Sequence, residues 1–145
     1  MNTFNPCRSE LRGETVHLAL PSMPRYVSMA RLTVAAAANM VGFSVDDVED
    51  LKVVVSEACT NALRHGCCGA ETHDLYYTLD ADRLTIRVED QGEGYEPEQV
   101  EEPELSGNQV GGFGLFIIKS LMDEVEVVSD KGRGTQITMV KYLRL

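Results

Sequence analysis

A carboxylate and a carboxamide stand four positions apart in this sequence, at Glu57 and Asn61. Four residues make slightly more than one helical turn, so both side chains lie on one face if the segment is helical. The amide oxygen of Asn61 can then ligate a hard cation such as Mg²⁺, and the carboxylate of Glu57 can act as a general base or orient a hydroxyl group. A solvated helix face with nothing bound often has the same spacing, so the pair needs further context.

Asp90 stands where an alternating apolar and polar run, predicted as a strand, passes into a turn that contains Gly92 and Gly94. An aspartate at a strand end can accept a hydrogen bond from an exocyclic amine such as that of adenine. The two glycines let the backbone adopt positive φ and pass close to a ligand. An ordinary acidic turn explains the same residues, so this segment alone leaves both interpretations open.

Two more glycine-containing segments follow Asp90. Gly112 and Gly114 precede an apolar helix, where free backbone N–H groups and the positive end of the helix dipole can hold a phosphate. A flexible loop ahead of a core helix is the alternative. Thr135 belongs to the last segment, residues 132–139, which predicts a glycine turn leading into a final strand.

The hydrophobic pattern predicts the elements that must position these residues. Apolar residues recur three and four apart, as one buried helix face requires, at Val48, Leu51, Val55, Ala58 and Ala62. Ser44 or Asp46 is predicted to cap this helix, which runs to about His65. Other helices are predicted over residues 25–40 and 114–122, and strands over residues 14–20, 73–79, 84–89, 125–129 and 135–142. The sequence therefore predicts an α+β domain, with a mixed sheet and helices on one face.

The composition narrows the class of protein. The chain has 145 residues, of which 43% are hydrophobic, enough for a single domain with its own core. Its net charge of −10 argues against direct binding of nucleic acid, which needs a basic surface. No apolar run approaches the roughly 20 residues of a membrane-spanning helix, and the N-terminus lacks the apolar stretch of a signal peptide. We therefore expect a cytoplasmic protein with no membrane partner.

Taken together, and in this order and spacing, the four segments resemble the N, G1, G2 and G3 boxes of the GHKL ATP-binding superfamily over about residues 15–142. Within it the chain is similar to the anti-sigma factor serine kinases of Gram-positive bacteria, the RsbW type, which are related to the sporulation anti-sigma factor. The segments that carry this likeness are residues 50–62, 112–115, 121–125 and 139–143. The resemblance implies a two-layer α/β sandwich, the Bergerat ATP-binding fold, with a mixed, mainly antiparallel sheet.

The resemblance also implies roles for individual residues. Asn61 matches the Mg²⁺ ligand and Glu57 the general base. Asp90 matches the residue that reads adenine, and Thr135 a second contact on the adenine side. These assignments predict an ATP site that uses Mg²⁺ as its metal.

The glycines and the long segment between them receive family roles in the same way. Gly92 and Gly94 would shape the adenine pocket, and Gly112 and Gly114 would be the phosphate-loop glycines. Residues 91–111 would form the ATP lid of a kinase domain at 14–145, which follows a flexible N-terminal tail at 1–13.

The implied activity is that of an anti-sigma factor and ATP-dependent serine/threonine-protein kinase. Such a protein would sequester a sigma factor, phosphorylate an anti-anti-sigma protein with a STAS domain, and work as a homodimer. Arg31 takes the position of the arginine that contacts the sigma factor, with a solvated helix residue as the alternative. Two other functions stay open: a nucleotide-binding partner-switching module without transfer, and a switch kinase that acts on a signalling scaffold without sigma binding.

The chain departs from some relatives just ahead of the phosphate-loop glycines. Those relatives carry a basic residue there, whereas this chain has Asn108, Gln109 and Val110. A basic contact to the γ-phosphate would have to come from Arg64, Lys119 or a partner protein.

Overall fold

The structure, a computed structural model, describes residues 10–65, 72–91, 113–130 and 134–144. Within these ranges the elements follow in the order β1 (Arg12–Pro21), α1 (Val27–Val41), α2 (Val45–His65), β2 (Thr72–Asp80), β3 (Arg83–Asp90), α3 (Phe113–Leu121), β4 (Glu124–Asp130) and β5 (Gly134–Tyr142). A short 3₁₀ turn at Pro24–Tyr26 leads into α1. Every predicted helix and strand is present, and its ends differ from the prediction by no more than two residues.

The five strands form one sheet in the order β1-β2-β3-β5-β4. All pairings among these described strands are antiparallel, where the sequence predicted a mixed, mainly antiparallel sheet. The strands β3 and β4 do run parallel, but β5 lies between them and pairs with both. The predicted α+β fold class is confirmed.

The core lies between the inner face of the sheet and the helices. Alternate residues of β2 and β3 are buried, and they pack with the buried residues of α1 and α2. Tyr77 joins the two layers near the middle of the sheet. Its hydroxyl lies 3.0 Å from both the carbonyl oxygen of Ala30 and Thr33 Oγ1 on α1. Because the helices pack on one face of the sheet, the ends of its strands stay accessible to a ligand.

The segment between α1 and α2 fixes where the long helix starts. Gly42 ends α1 in the left-handed conformation, at φ 104°. The backbone N–H of Asp47 donates to Ser44 Oγ at 3.2 Å, so Ser44, rather than Asp46, supplies the cap. This cap orients α2, the helix that carries the predicted catalytic pair.

Cys59 lies on the buried face of α2 and is fully buried. Burial raises the pKa of its thiol to about 12, which keeps it neutral at physiological pH. Cys59 therefore behaves as a small buried apolar residue of the core. Cys7, Cys67 and Cys68 lie outside the described residues.

Candidate functional site

Glu57 and Asn61 lie one turn apart on α2, at the edge of its buried face. Their neighbours Ala58, Cys59 and Ala62 are at most 5% exposed and anchor this part of the helix to the core. Glu57 and Asn61 themselves are half-buried. The helix therefore holds a carboxylate and a carboxamide at a surface that a ligand can reach.

The first turn of α3 lies directly against Glu57. Gly114 is the second residue of α3, and a Cβ atom placed on it would lie 2.9 Å from Glu57 Oε2. Such a distance is too short for ordinary contact, so a side chain at position 114 would require the Glu57 carboxylate to move. The fold thus brings together two of the residues that the sequence singled out in separate segments.

Asp90 and Thr135 form the second contact between separate segments. Asp90 ends β3 and is the register partner of Thr135 on β5, and the two are 7% and 4% exposed. The backbone N–H of Thr135 donates to Asp90 Oδ1 at 3.3 Å. Thr135 Oγ1 lies 2.8 Å from Ser129 Oγ on β4. This network fixes the carboxylate in a nearly dry environment, where hydrogen bonds are stronger than in water.

Gly134 is a residue of this site that the sequence reasoning did not select. It has φ +98°, and a Cβ atom there would lie 2.1 Å from the carbonyl oxygen of Asp90. Both the backbone conformation and the space exclude a side chain. Its position directly before Thr135, in a glycine turn that opens a strand, was the available signal.

A cleft opens at this end of the sheet. Its volume is about 260 Å³, and its lining includes Asp90, Gln91, Val128 and Thr135. Typical ligand pockets measure roughly 300–1,000 Å³. The described residues therefore provide part of a pocket next to the predicted adenine reader.

Arg31 is exposed on α1 and lines two grooves between α1 and α2. The groove nearer the start of α1 has a volume of about 600 Å³ and is also lined by Arg25. The other groove, of about 480 Å³, is lined by Lys52 and Glu57. Ser56 borders both grooves. A continuous surface therefore leads from Arg31 to the predicted general base.

Several predicted residues fall outside the described part of the chain. These are Gly92, Gly94 and Gly112, together with the predicted lid beyond Gln91. The side chain of Arg64 is also outside it. Lys119, the other candidate for a phosphate contact, is exposed in the last turn of α3.

Asn61 is the candidate metal ligand on α2. No group of three or more His, Cys, Asp or Glu side chains that could hold a metal occurs among residues 10–65, 72–91, 113–130 and 134–144. A Mg²⁺ ion commonly takes one or two protein ligands and completes its octahedron with phosphate oxygens and water. The amide oxygen of Asn61 is of the type that can supply one such ligand.

The described helices include none that is long and apolar enough to span a membrane.

Comparison with known proteins gives one family. The model of the histidine kinase-like ATPase domain matches residues 20–141. The serine-protein kinase RsbW of Halalkalibacterium halodurans is 37% identical over 139 residues, which cover 90% of this chain and 85% of that protein. The RsbW kinase of Listeria monocytogenes strain EGD-e is 35% identical over 140 residues, covering 90% of this chain and 88% of that one.

Solved structures give the same fold. The crystal structure of the RsbU and RsbW domains of a Mycobacterium tuberculosis protein matches with a TM-score of 0.66 and 19% identity, over 88% of this chain and 31% of that one. The histidine kinase domain of a blue-light activated kinase from Erythrobacter litoralis matches with a TM-score of 0.52 and 20% identity, over 84% of this chain and 61% of that one.

Proposed function

Because the chain belongs to the histidine kinase-like ATPase domain family, and within it to the RsbW serine-protein kinases, we propose that it binds ATP with Mg²⁺, holds a sigma factor and phosphorylates an anti-anti-sigma protein. A serine-protein kinase of this kind needs a pocket for the base, a place for the phosphates beside a general base, and a surface for its protein partners. Each need is supported by a separate group of described residues.

The contact between Gly114 and Glu57 is the observation that carries the proposal. The first turn of a helix binds anions through its free N–H groups, so phosphates held by α3 would lie beside the Glu57 carboxylate. Glu57 can accept the proton of a substrate hydroxyl while the hydroxyl oxygen attacks the γ-phosphorus and ADP leaves. Mg²⁺ bound to Asn61 would neutralise charge on the transferred group.

The base pocket is proposed at the end of β3. Asp90 accepts one hydrogen bond from the N–H of Thr135, and an ionised carboxylate has about four acceptor positions, so the same group could also accept from an amine. A buried acceptor of this kind favours adenine over a 6-oxo purine, because the latter presents a second acceptor to the carboxylate. The lid at residues 91–111 is proposed to close over the nucleotide.

The partner surface is proposed along α1, around Arg31. Arg31 and Arg25 line the same groove on a protein of net charge −10, so the groove is locally basic. A locally basic groove on an otherwise acidic protein suits a partner protein with an acidic surface. The neighbouring groove would lead a substrate segment to Glu57.

We include a cytoplasmic homodimer in the same proposal, on the strength of the family relationship. Sedimentation of the purified protein measures the oligomeric state directly.

A second candidate is a nucleotide-binding switch that holds its partner without phosphoryl transfer. The absence of a basic residue at Asn108, Gln109 and Val110 favours it, because the γ-phosphate then lacks the charge that some relatives supply. Transfer of labelled phosphate separates the two candidates.

The test is incubation with γ-labelled ATP, Mg²⁺ and an anti-anti-sigma protein, followed by mapping of the modified residue. Glu57→Gln should lower the rate by about 10²–10⁴-fold, because the general base is lost while the size of the side chain is kept. Glu126→Gln is the matched control, since Glu126 is exposed on β4. Equal rates in wild type and Glu57→Gln would contradict the catalytic assignment, and no transfer by wild type would favour the switch.

A further inference from the structure

Three polar side chains are buried in the described part of the chain: His73, Asp90 and Thr135, at 2%, 7% and 4% exposure. Every other buried side chain in that part is hydrophobic. Buried polar groups are nearly always hydrogen-bonded, so their location marks a place where partners are provided or expected. Asp90 and Thr135 are already assigned to the proposed nucleotide site, whereas His73 has no assigned role.

The three residues lie in one row across the end of the sheet. Asp90 is the register partner of Thr135. The ladder between β2 and β3 reaches Asp74 opposite Glu89, and one further step along both strands places His73 beside Asp90. The alternation of buried residues puts all three on the inner face of the sheet. His73 therefore continues the row of buried polar residues by one strand, next to the cleft whose lining includes Asp90 and Thr135.

One ring nitrogen of His73 lacks a hydrogen-bond partner. Nδ1 lies 3.4 Å from Ser22 Oγ, a long contact, while Nε2 is buried and unpartnered among the described residues. Burial lowers the pKa of His73, although the charge of Asp74 acts in the opposite direction. The ring is thus neutral at pH 7, with one donor and one acceptor nitrogen. If Nδ1 donates to Ser22 Oγ, Nε2 is left as an acceptor.

We propose that His73 is a third residue of the purine pocket and that its Nε2 accepts a hydrogen bond from the 6-amino group of adenine. The amino group has two hydrogens, so Asp90 can take one and His73 the other. A 6-oxo purine has a carbonyl oxygen in place of the amino group, so at position 6 it offers an acceptor and no hydrogen to either residue. His73 would therefore increase the preference for adenine, and this inference rests on the proposed nucleotide site at Asp90.

The experiment measures the affinity of the full chain for ATP and for inosine triphosphate by calorimetry. His73→Val removes both ring nitrogens, His73→Gln returns an amide near the position of Nε2, and His73→Asn returns one near Nδ1. We expect about fivefold weaker ATP binding in His73→Val, the effect of one hydrogen bond, with recovery in His73→Gln and none in His73→Asn. The affinity for inosine triphosphate should stay constant in all three variants. The ratio of ATP affinity to inosine triphosphate affinity should therefore fall in His73→Val and His73→Asn and recover in His73→Gln.

His17→Gln is the matched control, because His17 is 49% exposed on the outer face of the sheet. Thermal unfolding of every variant separates binding from folding. Unchanged ATP affinity in His73→Val, or equal losses in His73→Gln and His73→Asn, would overturn the inference. If His73→Val does not fold, the comparison of the Gln and Asn variants decides. Asp90→Asn in the same series tests the pocket itself. If ATP affinity falls in Asp90→Asn but not in the His73 variants, only the role of His73 is refuted.

Discussion

Replacing Gly114 by alanine tests whether this glycine positions the Glu57 carboxylate, which we propose as the general base. The new Cβ atom would lie 2.9 Å from Glu57 Oε2 and 3.8 Å from Glu57 Cβ. Ordinary contact at about 3.5 Å requires the carboxylate oxygen to move by roughly 0.6 Å. A misplacement of 1 Å can cost about 10²-fold in rate. We therefore expect kcat to fall about 10- to 100-fold, equivalent to about 1.4–2.7 kcal/mol in the activation barrier.

Stability should respond differently from rate in the same variant. The atom that must move is the far end of a flexible side chain, so the displacement itself costs little folding free energy. Alanine is also favoured over glycine inside a helix by about 0.8–1.0 kcal/mol, less in the first turn. We expect Gly114→Ala to unfold at the same temperature as wild type or slightly higher, while its affinity for ADP is retained.

Gly42→Ala is the matched control for this experiment. Gly42 has φ 104° at the far end of α1, where alanine costs about 1–2 kcal/mol of folding free energy. It should therefore unfold at a lower temperature but keep the kinase rate of the folded molecules. A full kinase rate in Gly114→Ala would refute the reasoning. A parallel loss of rate and melting temperature would refute it as well, because the effect would then be a folding defect.

Asp90→Asn turns an acceptor oxygen into a donor facing an amine, which should cost about 1–3 kcal/mol of ATP binding, or about 5- to 150-fold in calorimetric affinity; unchanged affinity would contradict the adenine assignment. Arg31→Glu should weaken sigma capture in a pull-down assay by several-fold to about a hundredfold and leave ADP affinity intact, since it reverses a charge at the proposed interface; full-strength capture would favour the switch kinase without sigma binding. Residues 91–111 should exchange amide hydrogens more slowly once ATP is added, and equal protection without ATP would contradict the lid. Burial lowers the pKa of His73, so as the pH falls the unfolded chain binds a proton at His73 before the folded chain does. The contribution of His73 to the free energy of unfolding should therefore be fully present above the pKa of the unfolded chain and should decrease as the pH drops below it. Melting temperatures from pH 7.5 to 5 should fall less in His73→Gln than in wild type.

The sequence predicted the elements well because their signals are local. The spacing of apolar residues predicted α2, and the predicted cap at Ser44 or Asp46 gave its start. The face shared by Glu57 and Asn61 also follows from helical spacing alone. These features depend on residues a few positions apart, so no knowledge of the tertiary structure was needed.

Contacts between elements were harder to predict, because they depend on strand order and helix packing. The sheet was expected to be mixed. In the structure β5 lies between β3 and β4 and pairs antiparallel with both, so these two strands run in the same direction without being neighbours. The place of His73 beside Asp90 follows from the register of β2 and β3, which no short sequence motif specifies. The requirement for glycine at 134 likewise depends on the carbonyl of Asp90 in another strand.

The two halves of the candidate site are positioned by different layers of the fold. Glu57 and Gly114 meet where α2 packs against α3, whereas Asp90 and Thr135 are fixed by the ladder between β3 and β5. In the proposed function the helical contact serves the phosphate chemistry and the sheet contact reads the base. Because different elements hold the two pairs, we expect a change at the helices to act mainly on kcat and a change at the sheet mainly on nucleotide affinity. Arg31 stands on the helical side of this division, and its groove includes Glu57. In the proposed function a partner bound to α1 would therefore reach Glu57 without disturbing the proposed base pocket, which is what a kinase that both holds and modifies proteins requires.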